Sequence, residues 1–196
     1  MSPPNDTLCA FLALELPRGL QAAFADEIDR LEKVIPGVAW MNPRRMHLTL
    51  RFLGWTNRER LSCLDPYLKA AAKACPPIDA TVSGLGTFPP TAVEKARVLW
   101  SGITLPRAAK TLQAACEKAA IDCGFPPERR AFAPHLTLGR FTMPMRVRNL
   151  PKLDLGKTRL DTLVLYRTEP AKGEIAVAGV RRPVAAHAKI TTFPLG

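Results

Sequence analysis

Apolar residues recur along this chain at two spacings, and each spacing predicts a different kind of element. In residues 17–34 they return at helical spacing with charged residues between them, which predicts an amphipathic helix. The continuous apolar run over residues 7–14 predicts a buried central strand instead. The apolar face of the predicted helix consists of Leu20, Phe24, Ile28 and Leu31.

Both spacings continue through the rest of the chain. The stretch NRERLSCLDPYLKAAAKA predicts a second helix, which Pro76 and Pro77 end, and residues 105–123 predict a third. Shorter apolar or alternating runs between the helices predict further strands. These strands are expected over residues 78–85, 96–103, 159–167 and 186–193.

One short strand pattern occurs twice. The tetrapeptide HLTL occupies His47–Leu50 and returns at His135–Leu138. Because side chains alternate across a strand, the leucines of each copy share one face and its histidine and threonine share the other. We expect the leucines to enter the core and the polar pair to face outward.

The surroundings of the two copies are also alike. Each follows a helix and a basic pair with a proline, and each is followed by an Arg-Phe pair, Arg51-Phe52 in the first half and Arg140-Phe141 in the second. The second pair comes one residue later, as if Gly139 were inserted. The repeat predicts a duplicated α+β unit whose HLTL strands face each other across a groove.

A groove of this kind would hold two imidazoles and two hydroxyls, from His47, Thr49, His135 and Thr137. Imidazole gains and loses a proton near neutral pH, so a pair can act as general acid and general base. A zinc site would need more ligands, and the only other histidine, His187, lies outside any motif. We therefore expect neither a metal nor a cofactor.

The charge of the chain suggests the substrate. Its formal net charge is +11 and its pI is about 9.9, which favours a polyanionic partner. In-line displacement at phosphorus suits two imidazoles with hydroxyl and arginine donors. Arg51 and Arg140 are candidate phosphate ligands, although Arg51 could equally be a solvated strand end. A bulge at Gly139 would aim Arg140 into the groove.

Aromatic side chains near the motifs could stack on the bases of a single-stranded RNA end. Burial in the core is the alternative for each of them. The candidates are Phe52, Phe141, Phe88 and Trp100.

Cysteine usage and the N-terminus bear on the cellular setting. Five cysteines without a CxxC pair predict reduced thiols, several of them in the core of a cytoplasmic protein. The apolar N-terminal run is too short to cross a membrane and lacks the basic start of a signal peptide. No long apolar heptad pattern indicates an oligomer, so a monomer is expected.

Taken together, these residues resemble a known family. Paired HxTx motifs, one in each half, mark the 2H phosphoesterase superfamily. The chain is most similar to its bacterial and archaeal RNA 2′,3′-cyclic phosphodiesterases, first described as 2′-5′ RNA ligases. The similarity covers most of the chain. The stretches that carry it are FLALELP, HLTLRFLG, GLGTFPP with ARVLWSGI, and FAPHLTLGRF.

The resemblance implies an α+β fold of two pseudo-symmetric lobes in one domain over residues 1–196. Two antiparallel sheets would line a central cleft, with helices outside. It also implies metal-independent opening of a 2′,3′-cyclic phosphate at an RNA end to a 2′-phosphate, with His47, Thr49, His135 and Thr137 as the catalytic set. Related members also join or cleave 2′-5′ linkages in vitro.

The chain departs from the family pattern in places. Cys9 stands where the family often has a basic residue, and Thr168 and Ile175 stand in a tail where a serine and an aromatic are common.

A 2′-phosphate product requires the acid beside the 3′-oxygen. We expect His47 as acid and His135 as base, although the similarity of the motifs does not distinguish them. The alternatives are activity on small cyclic nucleotides or 2′-5′ oligonucleotides, and a non-catalytic RNA-binding module.

Overall fold

A computed structural model of the protein describes residues 7–90, 94–169, 174–177, 180–183 and 186–196. Three α-helices and a short 3₁₀ helix, Pro43–Arg45, accompany the strands. The helices are α1 Arg18–Glu32, α2 Arg58–Ala74 and α3 Arg107–Asp122. The strands are β1 Leu8–Glu15, β2 Val38–Trp40, β3 His47–Thr56, β4 Ile78–Phe88, β5 Ala96–Thr104, β6 His135–Met145, β7 Asp154–Leu160, β8 Thr162–Glu169, β9 Glu174–Val177, β10 Val180–Pro183 and β11 Ala186–Pro194.

The strands of the described residues form three antiparallel sheets. The first is four-stranded in the order β11-β8-β1-β3, and the second is five-stranded in the order β2-β6-β5-β4-β7. Strands β9 and β10 pair separately. Strands β3 and β6, which carry the two HLTL motifs, lie in different sheets and contact each other. The expected α+β fold with two antiparallel sheets is confirmed.

Burial explains why these segments form these elements. The predicted apolar face of α1 is the buried face, and burying each such side chain contributes about 2 kcal/mol. Strand β1 is buried on both faces. Ala10, Leu12 and Leu14 join the main core, whereas Phe11 and Ala13 form a small apolar cluster on the opposite face with residues of β8. The prediction of a central first strand is confirmed.

One predicted strand was wrong. The apolar run over residues 159–167 predicted a single strand, but the chain forms β7 and β8 in different sheets, with Asp161 between them. The backbone carbonyl of Asp161 accepts a hydrogen bond from Leu195, and its carboxylate accepts one from Thr162. These contacts fix the crossing from one sheet to the other, which an apolar pattern does not record.

The prediction that all cysteines are reduced thiols is also wrong. Cys63 on α2 and Cys123 at the end of α3 form a disulfide. The two helices pack together, so the Cα atoms of these residues lie 5.8 Å apart, within the range that a disulfide spans. Their separation of 60 residues hid this contact from an inspection of local spacing. Cys75 and Cys116 are buried free thiols, as expected.

No helix in the described part of the chain is both long enough and apolar enough to cross a membrane.

Candidate active site

The two HLTL strands have the same alternation of buried and accessible side chains. Leu48 and Leu50 of β3 are buried in the main core, and so are Leu136 and Leu138 of β6. The histidine and threonine of each motif are only partly buried and lie on the opposite face of their strand. The predicted division into a buried leucine face and an accessible face with the histidine and threonine is confirmed.

Both strands are interrupted by a β-bulge at the same place. Strand β1 pairs Ala13 with Thr49 and then Leu12 with Arg51, so the residue between them is left out of the ladder. Strand β5 pairs with Thr137 and Gly139 in the same way. The two motifs therefore align residue for residue, and the prediction of an insertion at Gly139 was wrong.

This alignment assigns the residues after the motifs to different faces. Phe52 and Arg140 are equivalent and both are exposed on the cleft face, with Phe52 49% exposed. Arg51 and Phe141, which were expected to contact substrate, are buried behind their strands. The two Arg-Phe pairs are thus not equivalent, and only one member of each reaches the cleft face.

Arg51 is a structural residue in this fold. Its side chain is 6% exposed and forms an ion pair with Glu117 of α3. It also donates hydrogen bonds to the backbone carbonyls of Phe52 and Pro126. Its donors are therefore engaged behind the sheet, which corrects its expected role as a phosphate ligand. Phe141 packs in the main core, which corrects its expected role as a base platform.

The position that Arg51 occupies in β3 has to be glycine in β6. A Cβ on Gly139 would lie 2.5 Å from Cγ1 of Val38 and 2.7 Å from the carbonyl oxygen of Ala39. Both atoms belong to β2, which pairs with β6. Among the described strands, β3 is the edge strand of its sheet, and none pairs with it on this side. The position that follows the bulge residue can therefore hold a large side chain in β3 but not in β6.

The histidines of the motifs are held in the same way. Nδ1 of His47 donates to the carbonyl oxygen of Arg45 at 2.9 Å, and Nδ1 of His135 donates to that of Ala133 at 2.8 Å. A carbonyl oxygen can only accept, so Nδ1 carries the proton in both rings. When the ring is neutral, its other nitrogen, Nε2, is therefore the proton acceptor. Both rings are thus anchored through Nδ1, which leaves Nε2 of each ring for proton transfer.

Aromatic rings surround both histidines. The ring of His47 stacks on Phe11 with centroids 4.7 Å apart and lies 5.7 Å from Tyr166. The ring of His135 lies 4.9 Å from Phe88 and 6.4 Å from Trp100. Phe88 and Trp100 are only partly buried, so they remain candidates for contact with a base.

Trp100 reaches its place beside His135 because a glycine faces it. Gly86 is paired with Trp100 across β4 and β5. A Cβ on Gly86 would come within 2.2 Å of Cζ2 of the indole ring. Because Gly86 of the stretch GLGTFPP has no side chain, there is room for the indole ring of Trp100 in the stretch ARVLWSGI.

The sequence missed one residue of the site, which is His187. Its ring centroid lies 5.3 Å from that of His47 and 4.9 Å from that of Phe11. Strand β11 brings it there by pairing His187 with Thr168 of β8. Its position on a predicted late strand was the one available signal. The side chain of Ile175, the other expected stand-in from the tail, lies outside the described residues.

Electrostatics link the two motifs. The pKa of His47 is lowered to about 4, mainly because burial disfavours the imidazolium. Positive charge on His187 or His135 lowers it further, while the hydrogen bond to Arg45 acts in the opposite direction. His135 therefore lies close enough to His47 to act on its charge, and the strands β3 and β6 that carry them contact each other. His47 is neutral at pH 7 in the free protein.

The neighbouring groups of His47 are also shifted toward their neutral forms. Burial lowers the pKa of His187, and the charge of Arg45 lowers it further. Burial raises the pKa of Tyr166 to about 12, and Glu15 adds to this effect. Among the described residues, no cluster of three His, Cys, Asp or Glu side chains is placed to hold a metal ion.

Comparison with known proteins identifies the family. A sequence profile described as the 2′-5′ RNA ligase superfamily matches residues 20–170. An RNA 2′,3′-cyclic phosphodiesterase of Methanothermobacter thermautotrophicus is 29% identical over 168 residues, which cover 82% of this chain and 89% of that protein. One of Thermotoga maritima is 28% identical over 130 residues, which cover 66% of this chain and 68% of that protein.

Solved structures show the same fold. Escherichia coli LigT complexed with 3′-AMP superposes with a TM-score of 0.75 at 21% identity, covering 97% of this chain and 99% of that chain. TT0787 of Thermus thermophilus superposes with a TM-score of 0.74 at 24% identity, covering 96% of this chain and 98% of that chain. The expected 2H phosphoesterase fold is confirmed. With the profile match extending over most of its length, the chain belongs to the 2′-5′ RNA ligase superfamily.

Proposed function

We propose that this protein hydrolyses the 2′,3′-cyclic phosphate at an RNA end to a 2′-phosphate, without a metal ion. The observation that carries the proposal is the pair of imidazoles, each tethered through Nδ1 and each left with Nε2 to move a proton. Relatives named RNA 2′,3′-cyclic phosphodiesterase support the reaction class. Both lobes supply a histidine, so the chain is proposed to act as one domain.

In the proposed reaction a water molecule attacks phosphorus and the bond from phosphorus to the 3′-oxygen breaks. His135 accepts the proton of the attacking water, and His47 donates a proton to the departing 3′-oxygen. The hydroxyls of Thr49 and Thr137 are placed on the same face as the histidines and donate to the non-bridging oxygens. Arg140, exposed at the equivalent of Phe52, offsets the charge of the phosphate.

The low pKa of His47 in the free protein constrains this assignment. An acid must carry its proton when the 3′-oxygen leaves, yet His47 is neutral at pH 7. The cyclic phosphate bears a negative charge, and a nearby negative charge favours the imidazolium. Binding of the substrate is therefore the event that supplies His47 with its proton.

The pH dependence of the reaction tests this coupling. The proposed reaction needs His47 protonated and His135 unprotonated, so kcat/KM should be bell-shaped against pH, with one limb near pH 4 where His47 titrates in the free protein. In the turnover number kcat, which reports the bound complex, the limb that belongs to His47 should lie at a higher pH. A kcat/KM profile without a limb near pH 4, or a limb that stays at the same pH in kcat, would contradict the coupling.

The direct test uses an RNA oligomer that ends in a 2′,3′-cyclic phosphate, incubated with the protein in excess chelator. We expect a 2′-phosphate product, identified by ³¹P NMR against both monophosphate isomers. A variant with both His47→Ala and His135→Ala, purified in the same way, controls for contaminating ribonuclease. Loss of activity in chelator, or a 3′-phosphate product, would contradict the proposal.

The same assay separates the alternatives. Equal or faster turnover of nucleoside 2′,3′-cyclic phosphates would indicate a small-nucleotide enzyme. Cleavage confined to 2′-5′ oligonucleotides would indicate a phosphodiesterase that acts on 2′-5′ linkages. Salt-sensitive binding of RNA with no change at its phosphate end would indicate a binding module.

A further inference from the structure

His187 stands beside the catalytic cleft, although no motif contains it. Its ring plane is nearly perpendicular to the rings of both His47 and Phe11, at 87° and 83°. The same Phe11 ring stacks on His47 at an interplanar angle of 28°. The imidazole of His47 is thus enclosed by one stacked ring and one perpendicular ring.

The second lobe contains a matching arrangement. The ring of Phe88 meets that of His135 at 83°, with centroids 4.9 Å apart. His187 meets the ring of His47 at 87° and 5.3 Å. Each motif histidine therefore has one perpendicular ring contributed by another strand, β4 in one lobe and β11 in the other.

The tether to a backbone carbonyl and the perpendicular ring restrict different motions. A hydrogen bond from Nδ1 fixes the direction of one ring atom but permits the ring to tilt about that bond. A neighbouring ring in van der Waals contact opposes the tilt, because displacement would either open a gap or overlap the rings. Both restraints are needed to keep Nε2 aimed at one point in the cleft.

We propose that His187 is a positioning residue for His47, holding its imidazole in the plane that reaction at the 3′-oxygen requires, as Phe88 does for His135. This proposal rests on the catalytic role proposed above for His47. His187 acts through packing, so its ring is required and its nitrogen atoms are not. Its Nδ1 is buried and has no hydrogen-bond partner among the described residues, which fits a side chain that acts through the packing of its ring.

The imidazole of His187 can carry a positive charge, which a phenyl ring at this position could not. Protonated His187 and protonated His47 repel each other, so the two rings compete for one proton. Among the residues that the structure describes, the other charged or titratable groups around them are Arg45, His135, Tyr166 and the ion pair of Glu15 with Lys189. Replacing His187 by Phe leaves all of these in place and removes the competition alone.

Two substitutions separate packing from polarity. His187→Ala removes the ring, and we expect kcat to fall about tenfold to a hundredfold with KM changed less than about threefold, as for a misplaced catalytic group. His187→Phe restores a ring, and we expect kcat within about threefold of wild type. If His187→Phe is as impaired as His187→Ala, the nitrogen is required and the proposal is overturned.

A second measurement does not depend on activity. The chain has only three histidines, so the imidazole NMR signals can be assigned with variants that each lack one histidine. In His187→Phe, we expect the pKa of His47 to rise while Nδ1 keeps its proton. In His187→Ala, we expect the ring signals of His47 to shift and broaden as the ring gains freedom.

Ile190→Ala is the matched control, because Ile190 is exposed on the same strand. It should change neither kcat nor the His47 signals. Unchanged His47 signals in His187→Ala would overturn the positioning role whatever reaction the protein catalyses. If wild-type protein does not open cyclic phosphates while His47 responds as expected, the proposed function fails and the positioning role stands.

Discussion

Replacing His47 or His135 by alanine is expected to lower the turnover of cyclic-phosphate-ended RNA by at least about 100-fold, the scale of general acid–base catalysis. Each substitution removes one of the two nitrogens that move a proton in the proposed reaction. Both rings are only partly buried, so the loss should come without a comparable loss of stability. Single-turnover kinetics with a 2′,3′-cyclic phosphate end measure the effect.

The two substitutions should also be strongly non-additive. The histidines act on the same displacement, so the double variant should be little slower than either single variant. Melting temperatures close to that of wild type would show that each variant folds. Wild-type turnover in both single variants would exclude the paired-imidazole mechanism.

Replacing Arg51 by alanine is expected to lower the free energy of unfolding by about 3 kcal/mol, since it leaves Glu117 without its buried ionic partner. The backbone carbonyls of Phe52 and Pro126 would lose a donor as well. Chemical denaturation of the purified variant measures the change. At a temperature where the variant is folded, KM for RNA should stay close to that of wild type.

Arg140→Ala is the matched control, because Arg140 is the exposed arginine that follows the other motif. We expect it to lower kcat/KM about tenfold or more, the effect of losing a hydrogen bond to a charged group, with unfolding nearly unchanged. The opposite result, with Arg51→Ala impairing substrate binding and Arg140→Ala impairing stability, would show that the faces are assigned wrongly.

The sequence predicted most of the framework. Helical spacing identified the buried face of α1, and alternation within HLTL separated the leucines from the histidine and threonine. These predictions succeeded because periodicity reports directly on which side of an element is buried. The same rule failed just beyond each motif, where a bulge shifts the alternation and moves Arg51 to the core face.

The remaining errors concern contacts between distant parts of the chain. Cys63 meets Cys123 because two helices pack together, and His187 reaches His47 because β11 pairs with β8. Neither contact has a local signature. The division of residues 159–167 between two sheets depends on the same kind of information.

The anchors of the two histidines have a consequence for mutational tolerance. Each Nδ1 is held by a main-chain oxygen, supplied by Arg45 in one lobe and Ala133 in the other. The long cationic side chain of Arg45 and the methyl group of Ala133 are therefore equally compatible with this hydrogen bond, since every residue type has a backbone carbonyl. The hydrogen bond that anchors each imidazole therefore places no demand on the side chain at these two positions, so either side chain can be replaced without loss of that anchor.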